Sequence, residues 1–316
     1  MDFGMHIGTR DAVATPDGMR ALAQHAEAMG LAYLGISDHI VVAHEIDSRY
    51  PYSKSGDWPG AASGRCLDQL TCLTYAAAVT KKIRLLTSVM VIPHRPPLQT
   101  AKTLATVDLL SKGRLTVGIG VGWMSEELAL LGAPPFARRG AASDEYIDAF
   151  RALWSEESPR FEGEFVAFDN VSFDPKPAQA GGPPIWVGGE GKAARRRTAR
   201  RGNGWYPTTR NPREPLDTPA RFAAGFDDIR RQAEAIGRDP DAFDNAIFAP
   251  GYVLGDANAG RDRWIFTGAA EQIAEDARAY GDAGVNHIII GFDDSDLQRA
   301  LDSIEEFAKE VMPLVG

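Results

Sequence analysis

The sequence predicts an α/β protein, a (β/α)8 TIM barrel with loop insertions. Three observations point there. Apolar strand-like runs alternate with amphipathic helix-like runs about eight times, and that order implies parallel strands joined by crossover helices. The length, 316 residues, suits a closed barrel of eight such units. No composition break or low-complexity tract interrupts the chain, so residues 1–316 read as a single barrel domain.

The elements follow from local signals. Asp2 to Ile7 reads as a strand. Thr15-Pro16-Asp17 reads as a helix start, with Thr15 as N-cap and Pro16 at the first helical position. Met19, Leu22, Ala23, Ala26 and Met29 recur at helical spacing, and Gly30 ends the run. Tyr33 to Ser37 is the second strand. Residues 38–65, with Pro51, Gly56, Pro59 and Gly60, read as a long loop insertion. Cys66 to Thr80 reads as helix, Ile83 to Ile92 as strand, Leu98 to Leu110 as helix and Leu115 to Ile119 as strand. Ser143 to Trp154 is a helix, and Phe161 to Phe173 a local hairpin. Pro184 to Val187, Gly204 to Tyr206, Ala246 to Val253 and Val285 to Ile290 supply further strands. Helices over Lys192 to Arg201, Thr218 to Ile236, Ala269 to Ala283 and Ser295 to Val311 alternate with them.

Composition narrows the function classes. Hydrophobic residues make up 44% and charged residues 24%, as in an ordinary globular protein. A net charge of −9 disfavours wholesale binding to nucleic acid or anionic membrane. Cys66 and Cys72 read as reduced thiols, because six residues apart on one helix they would face different directions. No segment reaches the length of a membrane span, and the N-terminus lacks a basic leader, so the expected setting is the cytoplasm.

In such barrels the chemistry sits at the C-terminal strand ends. That rule selects four segments. Ser37-Asp38-His39 follows strand two, where a carboxylate can orient an imidazole that moves a proton, or simply cap backbone amides. Thr87-Ser88-Val89-Met90-Val91-Ile92-Pro93-His94-Arg95-Pro96 carries a polar pair and a proline-bounded exit. Val117-Gly118-Ile119-Gly120-Val121-Gly122-Trp123 alternates glycines in a way that lets a planar ring or phosphate approach the backbone, although its GxGxG spacing is not the dinucleotide fingerprint. Ile185-Trp186-Val187-Gly188-Gly189-Glu190-Gly191-Lys192 runs from strand through glycines to a helix N-terminus, the general anion-binding arrangement. Of Arg195, Arg196 and Arg197 beyond it, at most one is expected to touch ligand. His6, near the end of strand one, and Trp123 are expected to shape the pocket.

Together these segments resemble the luciferase-like monooxygenase superfamily, and most of all its branch that uses the deazaflavin coenzyme F420. The resembling pieces are Tyr33 to His39, Thr87 to Lys102, Leu109 to Leu115, Gly118 to Glu127, Pro184 to Arg197 and Gly281 to Gly291. The resemblance spans nearly the whole chain and is most specific from Thr87 to Trp123. It implies a cofactor lying across the C-terminal mouth of the barrel. It implies a non-prolyl cis peptide at Ser88–Val89 supporting the ring, Asp38 and His39 near the ring, and Gly188, Gly189, Glu190 and Gly191 approaching the phosphate by backbone. Gly120, Gly122 and Trp123 complete the expected cofactor site.

The sequence also departs from one pattern. In the sugar-phosphate dehydrogenase branch a glutamate acid follows the strand-four glycines, and a tryptophan stands four residues past the histidine. Here Trp123 and Ala43 occupy those positions. Glu126 and Glu127, slightly beyond, read as helix-start carboxylates.

The leading expectation is therefore an F420-dependent oxidoreductase acting on a small organic substrate, with His39 moving the proton and Asp38 orienting it. An FMN-dependent monooxygenase on the same fold is the alternative. A metal-dependent hydrolase using Asp38, His39, His44 and Glu45 is weighed third, although the His-x-His pair it would need on strand one is absent; no metal is expected. A barrel that binds a ligand without turning it over is the remaining reading. Tyr50, Tyr52 and Trp58 in the insertion hint at an apolar or planar substrate, and family resemblance implies a homodimer.

Overall fold

We describe the architecture from a computed structural model, which describes residues 1–11, 14–58, 64–255, 263–292 and 295–316. Pro59 and Gly60 of the insertion lie outside the described residues.

Eight parallel strands form the barrel wall: β1 (Asp2–Ile7), β2 (Tyr33–Ile36), β3 (Arg84–Thr87), β5 (Leu115–Gly120), β8 (Ile185–Gly188), β9 (Gly204–Tyr206), β10 (Ala246–Pro250) and β13 (His287–Gly291). Their order is β10-β13-β1-β2-β3-β5-β8-β9. The ring is completed beyond β9, where Thr208 bridges Phe248 and the Phe248 N–H donates to Pro207 O at 2.8 Å. β4 (Met90–Val91) continues the third strand after a cis peptide at Ser88–Val89 and pairs with β5 through Met90↔Ile119 and Val91↔Gly120. The single strand expected over Ile83 to Ile92 is thus two, separated by that step.

Helices cover the wall: α1 (Pro16–Ala28), α2 (Gln69–Val79), α3 (Pro97–Ser111), α5 (Arg139–Ser155), α6 (Lys192–Arg201), α7 (Pro219–Glu234), α8 (Ala270–Asp282) and α9 (Leu297–Glu306). A short α4 (Ser125–Leu130) follows β5. Capping sets several starts. Thr15 accepts from Gly18 N at 3.0 Å and caps α1. Asp68 accepts from Thr71 N at 2.8 Å, which starts α2 three residues later than the sequence suggested and leaves Cys66 outside it. The cysteines are free thiols, but not on one helix. The hairpin is a small antiparallel pair, β6 (Phe161–Glu162) and β7 (Ala167–Phe168). The run expected as one strand over Ala246 to Val253 ends at Pro250, since Gly251 takes a left-handed φ of +83°. A further short pair follows, β11 (Val253–Leu254) with β12 (Thr267–Gly268). The last helix passes into a π turn over Phe307–Val311, followed by α10 (Met312–Val315). No helix among the described residues is long and apolar enough to cross a membrane.

The core has two compartments. The larger lies between wall and helices. The smaller gathers Tyr33, Leu86, Trp186, Tyr206, Ala246 and Ile289. Trp186 stacks on His287 at 5.2 Å and meets Tyr33 at 5.1 Å. Such rings fit only where neighbours give up volume. A Cβ on Gly4 would stand 2.6 Å from Tyr33 Cβ, and one on Gly204 would stand 2.7 Å from Trp186 Cδ1 and 1.9 Å from Asp244 O.

This predicts a contrast between two glycines. Gly204→Ala has no room, because the obstacle is backbone, and it should lower stability by about 3 kcal/mol, at the upper end of overpacking costs. Gly191→Ala faces open space within 4 Å and should cost only about 1 kcal/mol, the loss expected for alanine at a helix N-cap. Urea unfolding of both variants checks this; equal losses would contradict it.

Candidate active site

The third strand organises the C-terminal mouth. Gly118, Gly120 and Gly122 each face it: their absent Cβ atoms would lie 2.2 Å from Thr87 O, 2.9 Å from Val89 Cγ2 and 2.9 Å from Val91 Cγ1. Gly35 and Gly188 crowd the same step, with Ser88 Cβ at 3.0 Å and Val89 Cγ1 at 3.2 Å. Strand three therefore packs closely against the GxGxG run. Ser88 Oγ is 2.7 Å from the buried Tyr206 hydroxyl. His6 reaches the Ser88 backbone from β1 and meets the Phe248 ring at 4.7 Å. Burial outweighs the Ser88 hydrogen bond and pushes the His6 pKa down to about 4, so its imidazole is neutral at pH 7.

One correction concerns Asp38. It does not orient His39. Asp38 is buried and accepts a bidentate pair from Arg95, Oδ1 from Nη2 and Oδ2 from Nη1, both at 2.8 Å, and Oδ2 also accepts from Val91 N at 2.9 Å. Arg95 continues to Asp68 at 2.8 Å. Burial works against the guanidinium charge, but the two carboxylates outweigh it and raise the Arg95 pKa.

His39 is held instead by Glu127, at 2.8 Å from Nδ1 to Oε2. Glu127 is the second correction. It stands in the first turn of α4, as the sequence suggested, yet it is fully buried and part of this cluster. Its Oε1 accepts from Ile40 N at 2.7 Å and Val41 N at 3.3 Å. Glu126 accepts from Asp47 N at 2.9 Å and Ser48 N at 3.0 Å. Two adjacent carboxylates thus fasten the insertion at two points. Burial alone would raise the Glu127 pKa; the His39 hydrogen bond, the charges of His94 and His39 and the Ile40 N–H together hold it below the usual carboxylate range. His94, buried, has Nε2 at 3.8 Å from Glu127 Oε2 and Nδ1 at 4.0 Å from Asp38 Oδ2. Burial lowers its pKa against the pull of both carboxylates.

Aromatic side chains surround His39. Trp58 lies 4.4 Å away and Trp123 6.5 Å, and Trp123 meets Tyr50 at 5.2 Å and Trp58 at 5.8 Å. Tyr52 packs on Tyr50 at 5.3 Å, and Arg10 stands 5.1 Å over Trp58. His44 and Glu45 are exposed. Among the described residues no group of three or more His, Cys, Asp or Glu side chains could hold a metal ion.

At the far side of the mouth, Gly188 and Gly189 lead into α6. Gly189 has a φ of +99°, and its carbonyl accepts from Trp205 Nε1 at 2.8 Å. The Glu190 side chain is an internal strut, accepting from Thr208 N at 2.9 Å and Asn211 Nδ2 at 2.6 Å; burial raises its pKa against those bonds. Gly191 is the N-cap of α6, without a side-chain cap, and a Cβ there would meet nothing within 4 Å. The first-turn amides of α6 have no intrahelical acceptor. Arg195 pairs with Asp228 and Arg197 with Asp144, bracing α6 against its neighbours, while Arg196 is exposed.

Sequence reasoning missed Glu127, His94, Arg95 and Tyr206 as members of the site. The signal for Glu127 was its place just past a barrel strand. For His94 and Arg95 it was their place in a rigid exit loop between prolines.

Comparison with known proteins supplies independent context. A family model described as luciferase-like monooxygenase matches residues 1–263. The chain is 33% identical to an uncharacterized protein of Mycobacterium tuberculosis (strain H37Rv), over 89% of this chain and 96% of that one. It is 31% identical to an FMNH2-dependent dimethylsulfone monooxygenase of Pseudomonas fluorescens, over 75% of each chain. Its fold is similar to that of an F420-dependent secondary alcohol dehydrogenase solved with an F420-acetone adduct: TM-score 0.78, 19% identity, covering 100% of this chain and 99% of that one.

The buried groups predict two acid-sensitive windows. His6 has a folded pKa below its unfolded value of 6.5, so the unfolded chain takes the proton first and stability falls as pH drops from 6.5 to about 4. Glu127 has a folded pKa below its unfolded 4.5, so its contribution is present above 4.5 and is lost as pH falls through the depressed value. His6→Phe should make the upper window shallower, with the part that His94 contributes through its own lowered pKa remaining, and leave the lower one as it was. Glu127→Gln should flatten the lower one while costing on the order of 3 kcal/mol at pH 7, as for breaking a buried pair. Chemical unfolding from pH 7 to pH 3 measures both, and a pH slope unchanged in either variant would count against its assignment.

Proposed function

The chain belongs to the luciferase-like monooxygenase family, and on that premise we propose that it is an F420-dependent oxidoreductase transferring a hydride between coenzyme F420 and a small organic substrate. The observation that carries this reading is the His39–Glu127 pair at the mouth of the barrel. Hydride transfer to or from a carbon–oxygen or similar polar bond needs a matching proton transfer, and this pair is built to manage one.

The residues present fit the cofactor. The uncapped start of α6, opened by Gly189 and Gly191, offers backbone N–H groups and the positive end of a helix dipole to a phosphate. The Ser88–Val89 step, buttressed by Gly35, Gly120 and Gly188, offers a fixed ledge to a planar ring. When bound, the deazaflavin supplies the hydride chemistry.

This chain's own residues do the rest. Glu127 accepts from Nδ1 of His39 and so leaves Nε2 to hold or release a proton at the substrate. Asp38, spent on Arg95 and Val91, positions the strand-three exit and does not act as an acid. His6, neutral at pH 7, adds no competing charge beside Ser88. Trp58 and Trp123 pack against the His39 ring, with Tyr50 behind Trp123, and leave its side chain 16% exposed.

A second reading, reduced FMN serving a monooxygenase, is favoured by one observation: the 31% identical relative is an FMNH2-dependent enzyme. It uses the same phosphate corner.

Fluorescence titration with F420 and with FMN separates them, using the wild type and Gly191→Asp. The proposal expects F420 to bind and FMN to bind at least about tenfold more weakly, a difference of ~1.4 kcal/mol. Asp is at least as good an N-cap as Gly, so the variant should keep its thermal midpoint while the added negative charge repels the phosphate and weakens F420 binding about tenfold or more. FMN binding without F420 binding selects the second reading, and binding of neither overturns both.

A further inference from the structure

We propose that His39 and His94 form a one-proton pair across Glu127, in which His94 takes up a proton from solvent when His39 gives its own to substrate. The inference rests on the functional reading only for its last clause; the pair itself is a property of the chain.

The geometry carries it. Both imidazoles face the same atom, Glu127 Oε2, with His39 Nδ1 at 2.8 Å and His94 Nε2 at 3.8 Å. The other nitrogen of His94 faces Asp38 Oδ2 at 4.0 Å. The His94 side chain is 2% exposed, and its Nδ1 has no hydrogen-bond partner. A buried nitrogen left unbonded between two carboxylates is costly in a site that serves structure alone. It is understandable in one that must accept a proton during function, since protonation turns both long approaches into charge-assisted hydrogen bonds.

Charge balance points the same way. The groups facing His94 are Asp38, Glu127, Arg95 and His39. Asp38 and Glu127 are buried carboxylates, and Arg95 is the one guanidinium between them and Asp68. Two negative charges against one positive charge leave a deficit that one imidazolium cancels. With both imidazoles charged the cluster becomes positive, and with neither it is negative. Asp68, 43% exposed on the far side of Arg95, is screened by solvent. Cys66, close by, stays a neutral thiol, because burial and the charges of Glu127, Asp38 and Asp68 push its pKa up.

His39 makes the short bond to Glu127. Burial, with the neighbouring Arg95 and His39 charges, lowers the His94 pKa against the attraction of the two carboxylates. Release of the His39 Nε2 proton to substrate removes that repulsion, and His94 becomes the site where a solvent proton restores neutrality. His94 is thus a positioning residue that acts through Glu127; it does not touch substrate.

Side-chain 1H–15N spectra of the histidines, followed from pH 8 to pH 5 on the chain without added cofactor, test the pair. In His39→Gln the midpoint of His94 should rise by about one pH unit or more, since a neighbouring positive charge is gone. In Glu127→Gln it should fall, since an attracting carboxylate is gone. A merely packed histidine would not move in opposite directions in two variants. Unchanged signals from His25, which lies far off against Leu301 O, report that the fold persists. A His94 midpoint that stays put in His39→Gln, or that moves the same way in both variants, overturns the proposal. Because no cofactor is present, failure here leaves the F420 titration intact, and failure of that titration leaves the pair intact.

Discussion

Glu127 is the carboxylate on which the mouth of this barrel depends. A buried carboxylate needs positive charge or N–H donors around it, or it will not stay ionised. Glu127 obtains donors from two places, His39 after strand two and the Ile40 and Val41 amides at the start of the insertion, and faces His94 in the exit from strand three at 3.8 Å. Each donor is thereby held to the first turn of α4. Asp38 imposes the same demand one layer away and is answered by Arg95 and Val91. These two carboxylates tie the second, third and fourth βα units together above the barrel wall, where no strand pairing could do so.

The wall itself obeys a volume constraint. Strand three departs from regular pairing at Ser88–Val89 and pushes Val89 toward its neighbours. Gly120 on one strand and Gly188 on the next leave room for it, and Gly35 leaves room for Ser88. Further down, Gly4 and Gly204 concede the space that Tyr33 and Trp186 occupy. Large residues and glycines alternate around the ring so that a closed barrel holds two big aromatic rings without a gap.

Much of this was legible in the sequence, for physical reasons. The alternation of strands and helices, the Thr15-Pro16 start and the Gly30 stop are local signals, and local signals survive into the fold. The Ser88–Val89 cis bond was legible through family resemblance, because Thr87 to Trp123 is the most specific stretch. The partner of His39 was not legible. Asp38 is adjacent in sequence, and adjacency suggested a pair, but neighbours leaving a strand point in different directions. The true partner stands 88 positions away, set by the meeting of two βα loops that no spacing rule describes. The packing role of the glycine run was hidden for a related reason: Gly118, Gly120 and Gly122 leave room for Thr87, Val89 and Val91 of strand three, which lies across from them.

The two oxygens of Glu127 face different tasks. Oε1 holds the insertion through Ile40 and Val41, and Oε2 holds His39. The insertion carries Trp58, whose ring lies 4.4 Å from that of His39, and Tyr50, which packs on Trp123 beside it. A shift of the insertion therefore acts on His39 twice, through the rings that shield it and through the carboxylate that holds its proton. Glu126 anchors the chain again at Asp47 and Ser48, so the backbone is fixed at two points before it runs on to Tyr50 and Trp58. On this geometry Trp58 acts on the His39 ring by contact, whereas the stretch from His39 to Ser48 is held through its backbone N–H groups by Glu127 and Glu126.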